Sequence, residues 1–388
     1  MKSLRVEIER ILPGGVGLAH ADGKTVLVSL AAPGDHLRVQ VEREQGNVLF
    51  ASVVEVLTPS PVRVEPPCPY FGRCGGCDFQ QLTYEAQLSA KAGIISDCLQ
   101  RIARLDSLPP ITVRPSPDTW RYRVRATWQI DQEKREIGYY ERGSRRVCDV
   151  ADCAVLMPEL QQTLEQVRAT EWSEFPPELK HLDVVAGENG VSLSPPFADF
   201  ETNDLDLRVG NDVYQYNAES FFQINPALLP ELIDFALSDA GGETALDLYC
   251  GVGLFTLPLS RRFAKVVGIE ANPVATRFVR RNLQQAGLTN ARVVTATVAG
   301  WVRTNANMDS VDFVLLDPPR AGAESVVIKG ILDLHPKRIS YVSCDPATLA
   351  RDLKKLIAAG YIVESIAGFD LFPQTHHVET VVLLRRSL

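Results

Sequence analysis

The chain has 388 residues, a formal net charge of −8, and 45% hydrophobic against 23% charged residues. That length predicts two or three domains, and the composition is that of a soluble globular protein. No run of eighteen apolar residues occurs, which argues against a membrane span, and the charges inside MKSLRVEIERIL mark a strand rather than an export signal.

Eight cysteines without an export signal fit a reducing cytosol, so a cytoplasmic protein is expected. Residues 1–57 read as all-β. VEIERIL, KTVLVSL, HLRVQVERE and VLFASVVEVL alternate or run β-branched, separated by GG, DG and APGD turns. Such closely spaced short strands predict a small OB-like β-barrel, a fold that often binds nucleic acid without fixing function. TPSPVRVEPP (58–67) reads as a Pro-rich linker.

A central mixed domain is expected over 58–215. It opens with CPYFGRCGGC, which places Cys68, Cys74 and Cys77 in one short stretch and raises the question of a metal. A helix is expected from about Tyr84 to Arg104, then mixed strands with a helix near 157–170. Net acidity speaks against a nucleic-acid partner, but charge distribution matters more than the sum. Between Arg114 and Arg146 nine Lys/Arg stand against five acids, a local charge of +4, with Trp120, Tyr122, Trp128, Tyr139 and Tyr140 interleaved. Alternation in RYRVRATW would put Arg121, Arg123 and Arg125 on one face, as an RNA-binding surface or as a solvated sheet face.

From 216 to 388 strands and helices alternate, which predicts a parallel, Rossmann-like sheet. The strands are TALDLY, AKVVGIE, ARVVTA, VDFVLLD and ISYVSC, with helices starting near Asn272 and Thr348 and a closing hairpin of YIVESIAGFDLF and VETVVLLRR. DLYCGVGLF (247–255) is a Gly-rich strand-to-helix turn in which Gly251 and Gly253 let a ligand approach the backbone. Leu254 and Phe255 stand where dinucleotide folds carry a third glycine, so the turn suits a ligand without phosphates, such as S-adenosylmethionine. Glu270 ends the next strand, 23 residues after Asp247, where an acid can hold a ribose.

LLDPPR (315–320) puts Asp317 at the carboxyl end of a strand, where open α/β sheets bind ligands. The next strand delivers Cys344 to the same rim, ahead of a helix whose N-terminus should lower the thiol pKa. Cys250 reads as packing. Glu379 opens the last apolar strand and suits a base, and the adjacent His376 and His377 are poorly placed to share a metal. A cysteine, a carboxylate and a sulfonium methyl donor fit methylation at pyrimidine C5. Thiolate attack at C6 makes C5 nucleophilic, and a base then removes the C5 proton. In SFFQIN (220–225), Phe221 and Phe222 offer stacking surfaces for an extruded base and Gln223 a polar contact.

DLYCGVGLFTLPLS, LLDPPRAG, VSCDPATLARDL and HHVETVVLL together resemble the RNA 5-methyluridine methyltransferases. The resemblance covers nearly the whole chain, and the 1–57 barrel is similar to the TRAM domain of the ribosomal RNA branch. It implies a class I methyltransferase domain over 216–388 that uses S-adenosylmethionine, with Cys344 as nucleophile and Glu379 as base. By the same resemblance Asp317 binds the uracil, a substrate contact that the SFFQIN stretch also suggests for Phe221. Gln223, Tyr249, Gly251, Gly253, Glu270, Asp317 and, more weakly, Thr297 bind the cofactor. It also implies a [4Fe–4S] cluster on Cys68, Cys74, Cys77 and a fourth cysteine among Cys98, Cys148 and Cys153. DCAVLMPEL favours Cys153. By chemistry alone, four thiolates would suit zinc equally well. The expected partner is large-subunit ribosomal RNA, methylated by a monomer. The alternatives are the same reaction on tRNA, methylation of a base amino group, and a non-catalytic iron–sulfur RNA-binding protein.

Overall fold

The computed structural model describes residues 2–305, 308 and 311–387. Three main sheets organise it. The first has six strands in the spatial order Ser3–Glu7, His36–Gln45, Val48–Thr58, Lys24–Ser29, Val16–Ala21, Arg10–Leu12. Its alternating Val26, Val28, Leu37, Val39 and Leu49 bury one face, as strand periodicity requires. The expected barrel is not closed: among the described residues the edge strands Ser3–Glu7 and Arg10–Leu12 share no ladder. The reason is local. These strands are consecutive and meet at a corner, where Ile8 bonds the turn at Gly34 and Asp35 while Glu9 N–H turns to Leu18 O. The two edges are therefore joined by the chain itself and not by paired backbones.

The Pro-rich stretch after this sheet is tied down. Asp35 is fully buried and accepts from Ala32 N (2.7 Å), Ser60 N (3.0 Å) and the Arg63 guanidinium (2.6 Å). A side chain this deep is costly to bury unless it is paired and hydrogen-bonded in this way.

The central sheet is antiparallel, in the order Val147–Asp149, Glu136–Tyr140, Arg125–Asp131, His181–Gly187, Gly190–Ser194. Helix Pro158–Ala169 packs Leu160 and Leu164 against its Trp128 and Leu182. Alternation here does not run as expected through RYRVRATW. Ladder pairing begins only at Arg125, because Arg121 sits at φ +55° and turns the chain. Arg121 is exposed, whereas Arg123 and Arg125 point inward, so the three do not form one basic face.

The third sheet has eight strands: Ala291–Thr295, Phe263–Glu270, Gly242–Leu248, Phe313–Leu316, Arg338–Ser343, Glu379–Arg386, Tyr361–Phe369 and Thr112–Arg114. The first five run parallel, and Glu379–Arg386 is antiparallel to both neighbours. Phe313–Leu316 is buried at every position, the pattern of a strand covered on both faces. Helices Pro273–Gln285 and Pro346–Ala358 begin at Asn272 and Asp345, whose side chains accept from the first free N–H groups. Thr112–Arg114 pairs in parallel with Tyr361–Phe369. Helix Tyr84–Cys98 and the π-helical turn Leu99–Ala103 bury Ile95, Cys98 and Leu99 in the same core. The segment 84–114 therefore lies with the C-terminal sheet, although in sequence it reads with the central region. No described helix is long and apolar enough to cross a membrane.

Replacing Asp35 with alanine should lower the unfolding free energy by about 3 kcal/mol or more, because it strands the Arg63 charge and the Ser60 N–H. Urea unfolding checks this, and a loss below about 1 kcal/mol would show that the contact is dispensable.

Candidate active site

The carboxyl ends of the C-terminal strands open onto a cavity of about 920 Å³. Tyr249 (φ +66°), Gly251 (φ +54°) and Gly253 (φ +98°) curl the chain out of strand Gly242–Leu248. A Cβ on Gly253 would meet Val279 Cγ2 at 2.6 Å, so only glycine lets the turn pack on helix Pro273–Gln285. Glu270 fixes the turn from the next strand, accepting from Gly251 N (3.0 Å) and Asn272 N (2.7 Å). Asp247 is buried beneath the turn and accepts from Thr256 Oγ1 at 2.5 Å. Burial, partly offset by that bond, pushes its carboxyl up to about 7.

Strand register assembles the other wall. Ser343 pairs with Thr380 in the antiparallel ladder, so Cys344 and Glu379, one step further, reach the same rim. Asp317 ends the neighbouring strand, and all three line the cavity. Burial pushes the Cys344 thiol up to about 12, aided by Glu379 and Asp317 and opposed by Arg320. This reverses the expected effect of the helix. Asp345 takes the first helical N–H groups, of Ala347 (2.9 Å) and Thr348 (2.8 Å), and adds a negative charge beside the thiol. Glu379, 2% exposed, lies well above the usual carboxyl range through burial and then Asp317, and its Oε1 has no hydrogen-bond partner. Burial and then Asp247 raise Asp317 to about 7.

Of the aromatic pair, only Phe221 reaches the cavity mouth as an exposed ring (58%). Phe222 stacks on Tyr216 with ring centroids 4.8 Å apart and belongs to the core. Gln223, Tyr249, Gly251, Glu270 and Thr297 line the same cavity; Gly253 serves the turn beneath it. Thr297 Oγ1 also caps its own helix, accepting from Gly300 N at 3.1 Å. Several wall residues carry no signal of their own in the sequence. Arg125 binds the carbonyls of Ser220 (2.7 Å) and Ala218 (3.1 Å) and so holds the Phe221 segment. Arg320, Thr375 and His377 also line the cavity, as do Gly75 and Gly76 from the cysteine stretch. Burial pushes the His377 imidazole down to about 3, which keeps it neutral. Only the proximity of His377 to Glu379 could have signalled its place.

A second, smaller cavity is lined by Cys68, Cys74, Cys77 and Cys153, with Gln80, Arg123 and Tyr139. Cys98 lies instead in the core of the C-terminal sheet, and Cys148 accepts from Arg73 Nε at 3.2 Å. Among the described residues no three Cys, His, Asp or Glu side chains converge closely enough to chelate one ion. Arg123 Nε and the Tyr139 hydroxyl are buried without partners, so a polar or anionic guest of the cysteine cavity would satisfy them.

Comparison with known proteins agrees with this geometry. Residues 181–387 match the family described as tRNA (Uracil-5-)-methyltransferase. Residues 4–62 match the TRAM domain of tRNA (uracil(54)-C(5))-methyltransferase. The 23S rRNA (uracil(1939)-C(5))-methyltransferase RlmD of Pectobacterium atrosepticum is 33% identical, across 98% of this chain and 93% of its own length. RlmD of Vibrio parahaemolyticus is 31% identical, across 98% and 96%. Among solved structures, the Pyrococcus abyssi tRNA (uracil-54, C5)-methyltransferase in complex with S-adenosyl-L-homocysteine superposes with a TM-score of 0.74. It is 26% identical, covering 98% of this chain and 100% of that one. With its Gly-rich turn, its strand-end cysteine and carboxylates and its TRAM domain, the chain belongs to the S-adenosylmethionine-dependent RNA uracil-C5 methyltransferases.

Proposed function

We propose that this protein methylates C5 of one uridine in 23S ribosomal RNA through a covalent bond between Cys344 and C6 of the base. The observation that carries the mechanism is the placement of Cys344 and Glu379 at facing ends of adjacent strands in one cavity. S-adenosylmethionine, when bound, supplies an electrophilic methyl group. Cys344, as the thiolate after loss of its proton, forms a bond to C6, which places carbanion character on C5 and lets C5 take the methyl as the methyl–sulfonium bond would break with its electron pair left on the cofactor sulfur. Glu379 then accepts the C5 proton as the carboxylate, whose raised pKa makes it the stronger base once ionised. The C–H electron pair restores the C5–C6 double bond, and the C6–S bond breaks to return the thiolate. Asp317 orients the uracil ring, and Phe221 at the mouth stacks on the extruded nucleotide. Glu270 takes the cofactor ribose, and Gln223, Tyr249, Thr297 and the backbone at Gly251 line its site.

Ribosomal RNA is favoured because relatives named for that substrate match across nearly the whole chain. A second reading, the same reaction on tRNA, is favoured by the similar fold of a tRNA (uracil-54, C5)-methyltransferase. Amino-group methylation and a purely RNA-binding role would leave Cys344 and Glu379 idle. The test is methyl transfer to unmodified 23S and tRNA transcripts, with the product mapped. Cys344→Ala should abolish transfer, and Glu379→Gln should accumulate a protein–RNA adduct that survives denaturing electrophoresis. Retained activity in Cys344→Ala would overturn the covalent mechanism, and activity on tRNA alone would favour the second reading.

The four cysteines line one cavity, where the family resemblance points to a [4Fe–4S] cluster. Its sulfurs would accept from Arg123 Nε and the Tyr139 hydroxyl, which are buried without other partners. Held there, it would act as a covalent clip between the stretch 68–77 and the central sheet. Protein purified without oxygen should be brown, with a broad band near about 400 nm. Cys153→Ala should lose the band and Cys98→Ala should keep it; a colourless wild-type protein would overturn the assignment.

The raised thiol pKa has a direct consequence. Thiolate is the reactive form, and below a pKa of about 12 its fraction grows tenfold per pH unit. Alkylation of Cys344 by iodoacetamide in the cofactor-free protein should therefore climb steadily from pH 7 to pH 10. Mass spectrometry of the Cys344 peptide reads the rate, and a plateau below pH 9 would contradict it.

A further inference from the structure

Glu379 is preceded by the segment 370–378, which links the strands Tyr361–Phe369 and Glu379–Arg386. Apart from Asp370 N, which donates to Arg114 O of the sheet's last strand, the main polar contacts of this segment reach helix Tyr84–Cys98 and the stretch after Cys77. Asp370 pairs with Lys91 of helix Tyr84–Cys98, both side chains fully buried. Gln374 exchanges hydrogen bonds with Gln87 of that helix: Gln87 Nε2 donates to Gln374 Oε1 (2.9 Å), and Gln374 N donates to Gln87 Oε1 (2.9 Å). Gln374 O accepts from Asp78 N (3.1 Å) and Phe79 N (3.0 Å).

Asp78, the residue after Cys77, closes the clamp. One carboxylate oxygen accepts from His376 N (2.8 Å) and the other from His376 Nδ1 (2.5 Å). The His376 ring lies against His377, with centroids 4.1 Å apart, and His377 faces the cavity two residues before Glu379. Cys344 is held differently, by strand Arg338–Ser343 and helix Pro346–Ala358. Among the described residues, neither that strand nor that helix has a hydrogen bond to the stretch 68–79.

We propose that Asp78, acting through His376, is a positioning residue for removal of the C5 proton, so that the cysteine-bearing stretch aligns the base while leaving the nucleophile alone. This deepens the reading of Cys344 as nucleophile and Glu379 as base, and rests on it. Attack and methyl transfer need Cys344 and the cofactor site. Release needs Glu379 within reach of the C5 hydrogen, and misplacing a group by about 1 Å costs up to about a hundredfold in rate.

The two stages separate experimentally. The substrate is whichever transcript, 23S rRNA or tRNA, the wild-type protein methylates, made once with uridine and once with 5-fluorouridine. Fluorine at C5 cannot leave as a proton, so the modified transcript stops as the methylated covalent adduct, and its rate of formation reports every step before release. The variants are Asp78→Ala and, because Asp78 adjoins a cysteine, His376→Ala, which does not. Both should slow turnover on uridine RNA roughly tenfold or more. Both should accumulate adduct on it, yet form the 5-fluorouridine adduct within about twofold of the wild-type rate. Asp78→Asn keeps an acceptor for His376 N and should recover part of the turnover. Equal slowing on both transcripts by His376→Ala, or no slowing on either, overturns the proposal. A wild-type protein that forms no adduct with 5-fluorouridine RNA removes the covalent reading itself, and the positioning role with it.

Discussion

The pairing of Ser343 with Thr380 is the constraint on which the site depends. An antiparallel strand inserted beside a parallel one reverses chain direction. The start of Glu379–Arg386 therefore meets the end of Arg338–Ser343, and the two side chains just outside the ladder share a rim. A parallel neighbour would have brought a strand end to that rim, and a base would have had to come from the following loop. Because strand period is two, a one-residue slip would turn Glu379 to the opposite face. The burial of Val381, Val382 and Leu384 resists that slip.

That geometry places Asp317, Glu379 and Cys344 in one cavity, with Asp247 buried just beneath it. Asp247, Asp317, Glu379 and Cys344 are each held toward their neutral forms by burial, and Arg320 is the cation that opposes this at both Glu379 and Cys344. A carboxylate that ionises in such a cavity favours a cationic ligand over a neutral one of equal shape. A sulfonium cofactor has that charge, and its demethylated product lacks it. The same electrostatics therefore favour binding before the reaction and release after it.

Much of this was legible in the chain. The Gly-rich turn, the strand ends at Asp317 and Cys344, and Glu379 are local features, and strand ends in a parallel sheet point at ligands wherever they occur. Where the sequence misled, distant contacts were responsible. The barrel failed to close because Ile8 turns to Gly34 and Asp35. Arg123 and Arg125 looked like a solvated face but are drawn inward, one to the cysteine cavity and one to the carbonyls of Ser220 and Ala218. The Cys344 thiol is raised rather than lowered chiefly because tertiary packing buries it, with Glu379, Asp317 and Asp345 adding negative charge beside it. Arg125, His377 and the Gly75–Gly76 wall have no spacing signature, since tertiary packing alone brings them to the cavity.

Strand Thr112–Arg114 pairs with the last three residues, Ala367–Phe369, of the strand at the margin of the C-terminal sheet. An uncovered strand presents free backbone donors and acceptors to any other chain, and Ala367–Phe369 would be such a template without it. The catalytic sheet is thus completed by residues that lie more than a hundred positions before its first other strand. Fragments or fusions cut at the apparent start of the methyltransferase region would carry a sticky edge. That pairing makes residues 112–114 part of the C-terminal sheet, so the chain cannot be cut between them and its other strands without breaking it.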